Sequence, residues 1–304
     1  MANSILSARV LQDEAAAIAW VEARVWPEGP VCPHCGGVER IGKMGGRATR
    51  IGLWKCYQCR KQFTVKVGTV FEDSHVPMNL WLQAMYLLCS SKKGISSNQL
   101  SRTLGVTLKT AWFMSHRIRE AMRVVGVEPV GGAGEIVEID ETFSGRQEGQ
   151  PIKKRRGSPA GYRNTVFTLV TRDGGARSFH VEGVSSEQLL PIIKANISKE
   201  AFVMSDESTS YAKLGDEYWQ HQTVTHSADE YVRGIVHTNT VEGYFSIFKR
   251  GMKGVYQHCK EKHLHRYLSE FDFRYSNRVR LGVDDVERTA RAVKGIVGKR
   301  LTYR

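Results

Sequence analysis

Three acidic residues and one lysine of this chain have types and spacings that could do chemistry together. Glu242 and Lys249 lie seven residues apart in a predicted helix, so they are two turns apart and project from one edge. Asp140 ends a short β-branched strand, and Asp206 follows a buried strand at residues 201–204. Carboxylates are the ligands that Mg²⁺ and Mn²⁺ prefer, and two such ions assist displacement at a phosphodiester. The three acids therefore predict a two-metal site, with Lys249 beside a DNA phosphate.

Each acid also has a structural interpretation, which the sequence leaves open. Glu242 follows Asn239 by three residues, the spacing of a capping box at a helix start. Asp206 suits a turn or an N-cap, and Asp140 suits a strand end. Glu138 shares a strand face with Asp140 and would be the substitute ligand if the first acid is misplaced.

Four of the six cysteines form two C-x-x-C pairs, Cys32 with Cys35 and Cys56 with Cys59. Two such pairs at this separation predict a tetrahedral Zn²⁺ site with four thiolate ligands, which leaves no open position for water and is therefore structural. The alternative, a thioredoxin-like redox pair, requires one C-x-x-C within a βαβ pattern, and the sequence lacks that pattern. The two remaining cysteines stand singly, which argues against a disulfide framework.

The segment after the cysteines predicts a helix-turn-helix region. Residues 77–88 and 96–104 have helical patterns, Gly105 predicts a turn, and Thr107 predicts the cap of a third helix ending near Met122. In such a motif the helix after the turn enters the major groove of DNA, although a purely structural three-helix bundle has the same pattern. The residues predicted to face outward from that helix are Lys109, Thr110, Phe113, His116 and Arg117.

Charge also favours a nucleic-acid partner, because Lys plus Arg exceed Asp plus Glu by 44 − 31 = 13. One run of four cations, in a polar loop, is interpreted either as a solvated loop or as a clamp on the DNA backbone. That run is Lys153, Lys154, Arg155 and Arg156. The sequence shows no signal-peptide pattern and no apolar run long enough to cross a bilayer, which predicts a cytoplasmic location.

The acids must be positioned by a second, α/β part of the chain. After a Gly-rich linker, residues 136–140 predict a strand, and residues 165–170 and 178–181 predict a hairpin. The helix that carries Glu242 opens at Thr238 or Asn239. Its predicted core stripe is Val241, Phe245, Phe248 and Met252. A further helix packs Leu264, Leu268 and Phe271 inward, and the last residues predict a loosely packed basic tail.

These motifs in combination resemble bacterial insertion-sequence transposases. Asp140 in an I-D-E-T context, Asp206 after a buried strand, and Glu242 in H-x-N-x-V-E with Lys249 resemble their D-D-E set. The cysteine pattern, followed by F-T-V, G-T-V-F and a tryptophan, resembles the zinc-ribbon-bearing insertion sequence 1595 group. The resemblance implies an RNase H-like catalytic domain in which Asp140, Asp206 and Glu242 bind two Mg²⁺ or Mn²⁺ ions. Asn239 and His237 are then candidates for contacting phosphate or orienting the metal ligands.

The predicted fold class is α/β, with an RNase H-like catalytic domain preceded by a four-cysteine zinc ribbon and an all-α helix-turn-helix region. The predicted parts are an N-terminal helix (1–30), the ribbon (31–75), the helix-turn-helix region (76–126), a linker (127–134), the catalytic domain (135–282) and a basic tail (283–304).

The resemblance implies a bacterial, nucleoid-associated transposase. It would bind the terminal inverted repeats of an element, cleave the ends and join the 3′-hydroxyls to target DNA. Two ends must be handled together, so a homodimer or larger assembly on DNA is expected. The alternatives are a nuclease that does not join strands and a catalytically silent DNA-binding protein.

Overall fold

A computed structural model of the chain describes residues 4–126, 128–150, 162–216, 218 and 220–302. Two compact units divide the chain. The first unit contains Met1–Ser91, Ile95–Arg123 and Asp284–Arg304, and the second contains Lys92–Gly94 and Val124–Val283. The predicted N-terminal helix and ribbon therefore lie in the first unit, together with most of the predicted helix-turn-helix region; Lys92–Gly94 and residues 124–126 of that region belong to the second unit.

The first unit combines a small sheet with helices. Its helices are α1 (Arg9–Gln12), α2 (Glu14–Val25), α3 (Met78–Ser90), α4 (Ser97–Leu104), α5 (Leu108–Met122) and α9 (Asp285–Lys294). Its strands are β1 (Ile41–Lys43), β2 (Trp54–Cys56) and β3 (Gln62–Phe63), antiparallel in the order β1-β2-β3. Trp26 closes the small core of this sheet, with its ring edge-on to Trp54 and Phe63.

The turn between α4 and α5 forms as its sequence predicts. The Ser96 side chain accepts the N–H of Gln99 at the start of α4, and the Thr107 side chain accepts the N–H of Thr110 at the start of α5. Gly105 ends α4 with a φ of 67°, a left-handed conformation that glycine adopts without steric cost.

The prediction of a loose tail at residues 283–304 is wrong. Asp284 caps α9 by accepting the N–H of Glu287, and Ala292, Val293 and Ile296 are fully buried in the first unit. The Arg288 guanidinium donates to the carbonyl of Cys89 at 2.9 Å. The capping aspartate and the apolar spacing are both sequence signals for a helix. The high charge of the segment favours an exposed tail instead.

The second unit is built on a five-stranded mixed sheet. Its strands are β4 (Ile136–Ser144), β5 (Asn164–Thr171), β6 (Ala176–Val181), β7 (Phe202–Asp206) and β8 (Gln222–Val224), in the order β6-β5-β4-β7-β8. The pairs β4–β5 and β5–β6 are antiparallel, whereas β7 lies parallel to both β4 and β8. Its helices are α6 (Ser186–Asn196), α7 (Asn239–Gly251) and α8 (Leu264–Ser276), with a 3-10 helix at Thr209–Asp216 and a π-helical turn at Met252–Tyr256.

Successive side chains of each strand point to opposite faces of the sheet, and an apolar core lies on each face. Val137 and Ile139 of β4 face a core that includes Leu189 and Ile193 of α6. On the other face of the sheet, Val166 and Val170 of β5 pack against α7 and α8. The residues that α7, the π-helical turn and α8 contribute to that core include the predicted set Val241, Phe245, Phe248, Met252, Leu264, Leu268 and Phe271.

Two details differ from the sequence predictions. Asp140 does not end its strand, because β4 continues to Ser144 and Asp140 pairs with Thr168 of β5. Part of the predicted linker is also packed, since a side chain at Gly131 would meet Ala201 at 2.6 Å, too close for any residue with a Cβ. Of the helices in the described ranges, none combines the length and apolarity needed to cross a bilayer.

Candidate active site

Asp140 and Asp206 lie on one face of the second unit's sheet. Glu138 of β4 pairs in parallel with Met204 of β7, and each aspartate follows two residues further along its own strand. Because side chains two apart share a strand face, both aspartates face the α7 side. This face carries Val166 and Val170 of the α7 core. The topology thus brings together two acids that are 66 residues apart in sequence.

Helix α7 is held against the same face by Glu138. The fully buried Glu138 carboxylate accepts the N–H of Thr240 at 2.7 Å and the N–H of Val241 at 3.0 Å. It also accepts the Thr240 hydroxyl at 2.8 Å and the Arg172 guanidinium at 2.6 Å. A carboxylate is favourable at a helix N-terminus, where backbone N–H groups lack partners. Glu138 is therefore the cap of α7 and is not positioned as a substitute for Asp140.

Because Glu138 caps α7, Glu242 is not needed for capping. Among the described residues, Glu242 makes no side-chain bond to the backbone, so the capping-box interpretation does not describe this helix start. Its Oε1 instead accepts the Thr238 hydroxyl at 2.9 Å, and the side chain is 48% exposed. The Glu242 carboxylate is thus oriented by one neighbour and open to solvent.

Asp206 and Glu242 act electrostatically on Asp140. Burial, followed by the negative charges of Glu141, Asp206 and Glu242, raises the pKa of Asp140 to about 8. Burial also raises the pKa of Asp206, against the opposing effect of the Ser208 N–H that its Oδ1 accepts. Repulsion between acids of this kind is relieved by a bound cation, so this donor set fits divalent metal ions.

Glu141 lies on the opposite face of β4, as its position in the strand predicts. The Tyr211 hydroxyl donates a hydrogen bond to its Oε2, and burial is the main cause of the raised pKa of both groups. Glu141 therefore affects Asp140 through its charge. Its own carboxylate lies on the other face of β4, where it is hydrogen-bonded in the core that packs against α6.

His226 belongs to the site and was missed by the sequence analysis. Its Nε2 lies 3.9 Å from Glu242 Oε1 and 3.5 Å from the Thr238 hydroxyl, and its charge lowers the pKa of Asp206. Glu207 fixes the backbone of this segment by accepting the N–H groups of His226 and Ser227. No periodicity or motif marks His226, because it reaches the acids from a single 3-10 turn, His226–Ala228, after β8.

A buried polar network anchors α7 beside Asp140. Thr168, the antiparallel neighbour of Asp140, donates to the Ser178 hydroxyl at 3.0 Å. Ser178 and Tyr244 of α7 both donate to Asp272 of α8, at 2.7 and 2.6 Å. The network ties β5, β6, α7 and α8 together at the level of Asp140.

The four cysteines meet in the first unit, as predicted. Their Sγ atoms all lie within 4.8 Å of one another, with Cys32–Cys59 at 3.6 Å and Cys35–Cys56 at 3.8 Å. Tetrahedral Zn–S bonds of about 2.3 Å place sulfur atoms about 3.8 Å apart. The geometry therefore fits a structural zinc ion. In the part of the chain that the structure describes, this is the one group of potential ligands so closely spaced, and the carboxylates are more widely separated.

Comparisons with known proteins identify the family. Residues 132–276 match the ISXO2-like transposase domain, and residues 12–62 match the transposase zinc-ribbon domain of the same insertion sequence 1595 group. The chain belongs to the insertion sequence 1595 transposase family. A protein in the transposable element ISH50 of Halobacterium salinarum is 28% identical over 262 residues, covering 82% of this chain and 86% of the relative.

Solved structures give a weaker likeness for this family member. The Mos1 strand transfer complex aligns with 66% of this chain and 77% of its own, at 14% identity and a TM-score of 0.20. A pre-cleavage Mos1 transpososome aligns over the same shares at 12% identity and a TM-score of 0.19. At these scores the likeness defines neither the fold nor the activity of this transposase-family chain.

The predicted DNA-binding residues of this family member have mixed positions. Lys249 and Asn239 are exposed on α7, and Lys109 is exposed at the start of α5 beside the partly exposed Thr110. His237 is turned toward the protein, with its Nδ1 3.2 Å from Glu138 Oε1. Lys153, Lys154, Arg155 and Arg156 lie outside the described residues.

The prediction that Arg117 faces outward is wrong. Its guanidinium is buried in the first unit and donates to the carbonyls of Val70, Glu72 and Leu301. His116 is also fully buried. Residues 114–122 of α5 are buried on all sides, which the periodicity of the helix did not show, so its exposed and partly exposed residues lie between Leu108 and Phe113.

Loss of the Glu138 carboxylate is expected to destabilise the protein. Glu138→Ala removes the acceptor of two N–H groups of α7 and of the Nε of the partly buried Arg172, and the loss of one partner of a buried pair costs about 3–5 kcal/mol. Glu138→Gln keeps the shape but loses the charge, and is expected to cost about 1.5–3 kcal/mol. Urea unfolding measures both values. The control is Glu135→Gln, whose exposed carboxylate accepts a single N–H, and equal effects of all three variants would contradict the assignment.

Proposed function

We propose that this chain is a DNA transposase that binds the terminal inverted repeats of its element, cleaves the ends and joins the 3′-hydroxyls to target DNA. The observation that carries the proposal is that the strand pairing places Asp140 and Asp206 on the strand face that packs against α7, where the charges of Asp206 and Glu242 contribute to the raised pKa of Asp140. These acids come from two neighbouring strands and the helix that Glu138 fixes against them. Asp206 ends β7, and ligand and catalytic groups collect at the C-terminal ends of parallel strands in α/β sheets.

In this proposal Asp140, Asp206 and Glu242 hold two Mg²⁺ or Mn²⁺ ions, which would activate the attacking oxygen and stabilise the leaving oxygen. Two ions about 3.5–4 Å apart need a wider ligand set than one ion does, so the three carboxylates need not converge on one point. His226 and Thr238 orient Glu242, and Lys249 contacts a DNA phosphate.

The architecture supports an RNase H-like catalytic domain and a separate DNA-binding region. Three antiparallel strands, two parallel strands added beside β4 and helices over both faces are compatible with that fold. The α4–turn–α5 segment is compatible with a helix-turn-helix that reads DNA through Lys109 and Thr110. A dimer or larger assembly on DNA follows from the need to join two ends.

The deciding experiment compares wild type with Asp206→Asn on duplex DNA carrying the element's own ends, with Mg²⁺ or Mn²⁺. End cleavage and joining to a second DNA are scored separately, and Asp206→Asn is expected to lower both at least about a thousandfold while DNA binding persists. The control is Asp173→Asn, in the β5–β6 turn, where the side chain is 93% exposed.

The outcomes separate three classes of protein. Joining by the wild type that is lost in Asp206→Asn supports the transposase. Cleavage without joining identifies a metal-dependent nuclease. DNA binding without metal-dependent chemistry in either protein identifies a catalytically silent DNA-binding protein.

A further inference from the structure

A basic cleft lies in the second unit, between the end of β4, the start of β5 and the end of α7. Its volume is about 500 Å³. The polar and charged residues that matter for its chemistry are Thr142, Ser144, Arg163, Lys249, Lys253 and Gln257. We call this region the basic cleft.

The charge of the basic cleft is of one sign. Three cations line it and none of its lining residues carries a carboxylate. Lys249 and Lys253 are four residues apart, so they project on the same side of α7 and its π-helical continuation. Within the ranges that the structure describes, neither lysine lies within 4.0 Å of a carboxylate. Three cations in one concavity whose lining residues include no carboxylate favour an anionic ligand.

The position of the basic cleft relates it to the acids. Asp140, Thr142 and Ser144 alternate along β4 and therefore share a strand face. Same-face positions are about 7 Å apart, so the cleft begins about 7 Å from Asp140 and extends away from it. Lys249 relates the acids to the basic cleft, because it lines the cleft and lies two helical turns after Glu242.

We infer that the basic cleft binds the sugar–phosphate backbone of the DNA strand that is cut, at phosphates adjacent to the scissile one. This inference rests on the proposed function and extends it by assigning Arg163 and Lys253. The three cations belong to separate segments, at the start of β5, in α7 and in the π-helical turn. Such a distribution suits several phosphates in a row, whereas one phosphate would need the cations to converge.

The mechanism is electrostatic and does not depend on sequence. Lysine and arginine contacts to phosphate fix the register of the strand and carry no base information. The basic cleft therefore positions the strand so that one phosphodiester lies at Asp140, Asp206 and Glu242, and loss of its cations lowers affinity equally for all DNA sequences.

The test measures DNA binding as a function of salt for the full chain and the double variant Arg163→Gln/Lys253→Gln. Each phosphate contact contributes about 0.9 to the slope of log affinity against log salt, so the double variant is expected to lose about 1.8. The loss should be the same on the element's end duplex and on a scrambled duplex. The control is Arg250→Gln, an exposed cation next to Lys249 whose Nε donates to the Ser246 carbonyl and which does not line the cleft. An unchanged slope in the double variant would overturn the inference.

A second readout uses the wild-type protein alone. Cys259 lines the basic cleft, so bound duplex should slow its alkylation by iodoacetamide, measured by mass spectrometry of the Cys259 peptide. An unchanged alkylation rate at saturating duplex would overturn the inference. Neither readout needs catalysis, so the inference can fail while metal-dependent cleavage, tested with Asp206→Asn, still supports the proposed function.

Discussion

Replacing Asp140 with asparagine is expected to lower metal-dependent DNA cleavage at least about a thousandfold and to stabilise the metal-free protein at alkaline pH. The loss of activity follows because the neutral amide replaces a proposed metal ligand and weakens charge stabilisation worth several kcal/mol. The gain in stability follows because the ionised carboxylate is partly buried beside other acids, which raise the pKa of Asp140 to about 8. Asparagine removes this repulsion and keeps the size of the side chain.

The sign of the pH dependence is fixed by this raised pKa. An unfolded aspartate has a pKa of about 3.9, so between about pH 4 and pH 8 the folded protein holds a proton that the unfolded chain has lost. The favourable contribution of Asp140 is therefore present below about pH 4 and is lost as the pH rises through about 8. The difference between the variant and wild type should grow with pH and reach on the order of 5 kcal/mol.

Thermal unfolding with EDTA at pH 5 and pH 9 measures this effect. The variant should exceed wild type in midpoint temperature by more at pH 9 than at pH 5. The exposed Asp173→Asn serves as the control and should show no such difference. A midpoint for Asp140→Asn that is lower than wild type at both pH values would contradict the electrostatic description of the site.

Removal of zinc is expected to unfold the ribbon. Structural zinc contributes about 10–16 kcal/mol in small zinc domains, and the ribbon has few other stabilising contacts. Its core consists of Cys32, Cys56 and Phe63 with a few partly buried neighbours, so two of its three fully buried residues are metal ligands. Cys56→Ser should therefore lose both the metal and the folded ribbon, with the fold of the second unit retained.

Hydrogen exchange measures this outcome region by region in the full chain. Amides of β2 and β3 should lose protection in Cys56→Ser, whereas amides of β4 and β5 should keep it. Cys259→Ser provides the matched control, because Cys259 lies in the second unit, outside the four-cysteine group. A protected ribbon in a zinc-free Cys56→Ser protein would show that the cysteines are dispensable for folding.

The two proposals have a common physical basis in the placement of α7. Glu138 binds the first turn of this helix, and Tyr244 joins the buried network through Asp272. Between these two anchors lies Glu242, and beyond them lies Lys249 at the basic cleft. A rigidly held helix can therefore present a carboxylate to the metals and an ammonium to the strand at a fixed separation, as precise positioning requires.

The sequence alone determined those features that depend on neighbouring residues. The spacing of Cys32, Cys35, Cys56 and Cys59 predicted the ribbon site, because each C-x-x-C pair turns two thiolates to one side. Thr107 predicted the start of α5, because capping involves only the first turn of a helix. The stripe of α7 and the β5–β6 hairpin were likewise visible, since period and turn residues are local signals.

The tertiary structure decided everything that depends on distant partners. Glu138 became the cap of α7, which left Glu242 with its carboxylate open to solvent, although the sequence offered a capping box. Arg117 became a buried donor to carbonyls, although helical periodicity placed it outside. His226 lies beside Glu242 from a short 3-10 turn, without any sequence signal. The physical reason is that burial and electrostatic environment depend on which segments pack together across the fold, and local spacing does not encode those contacts.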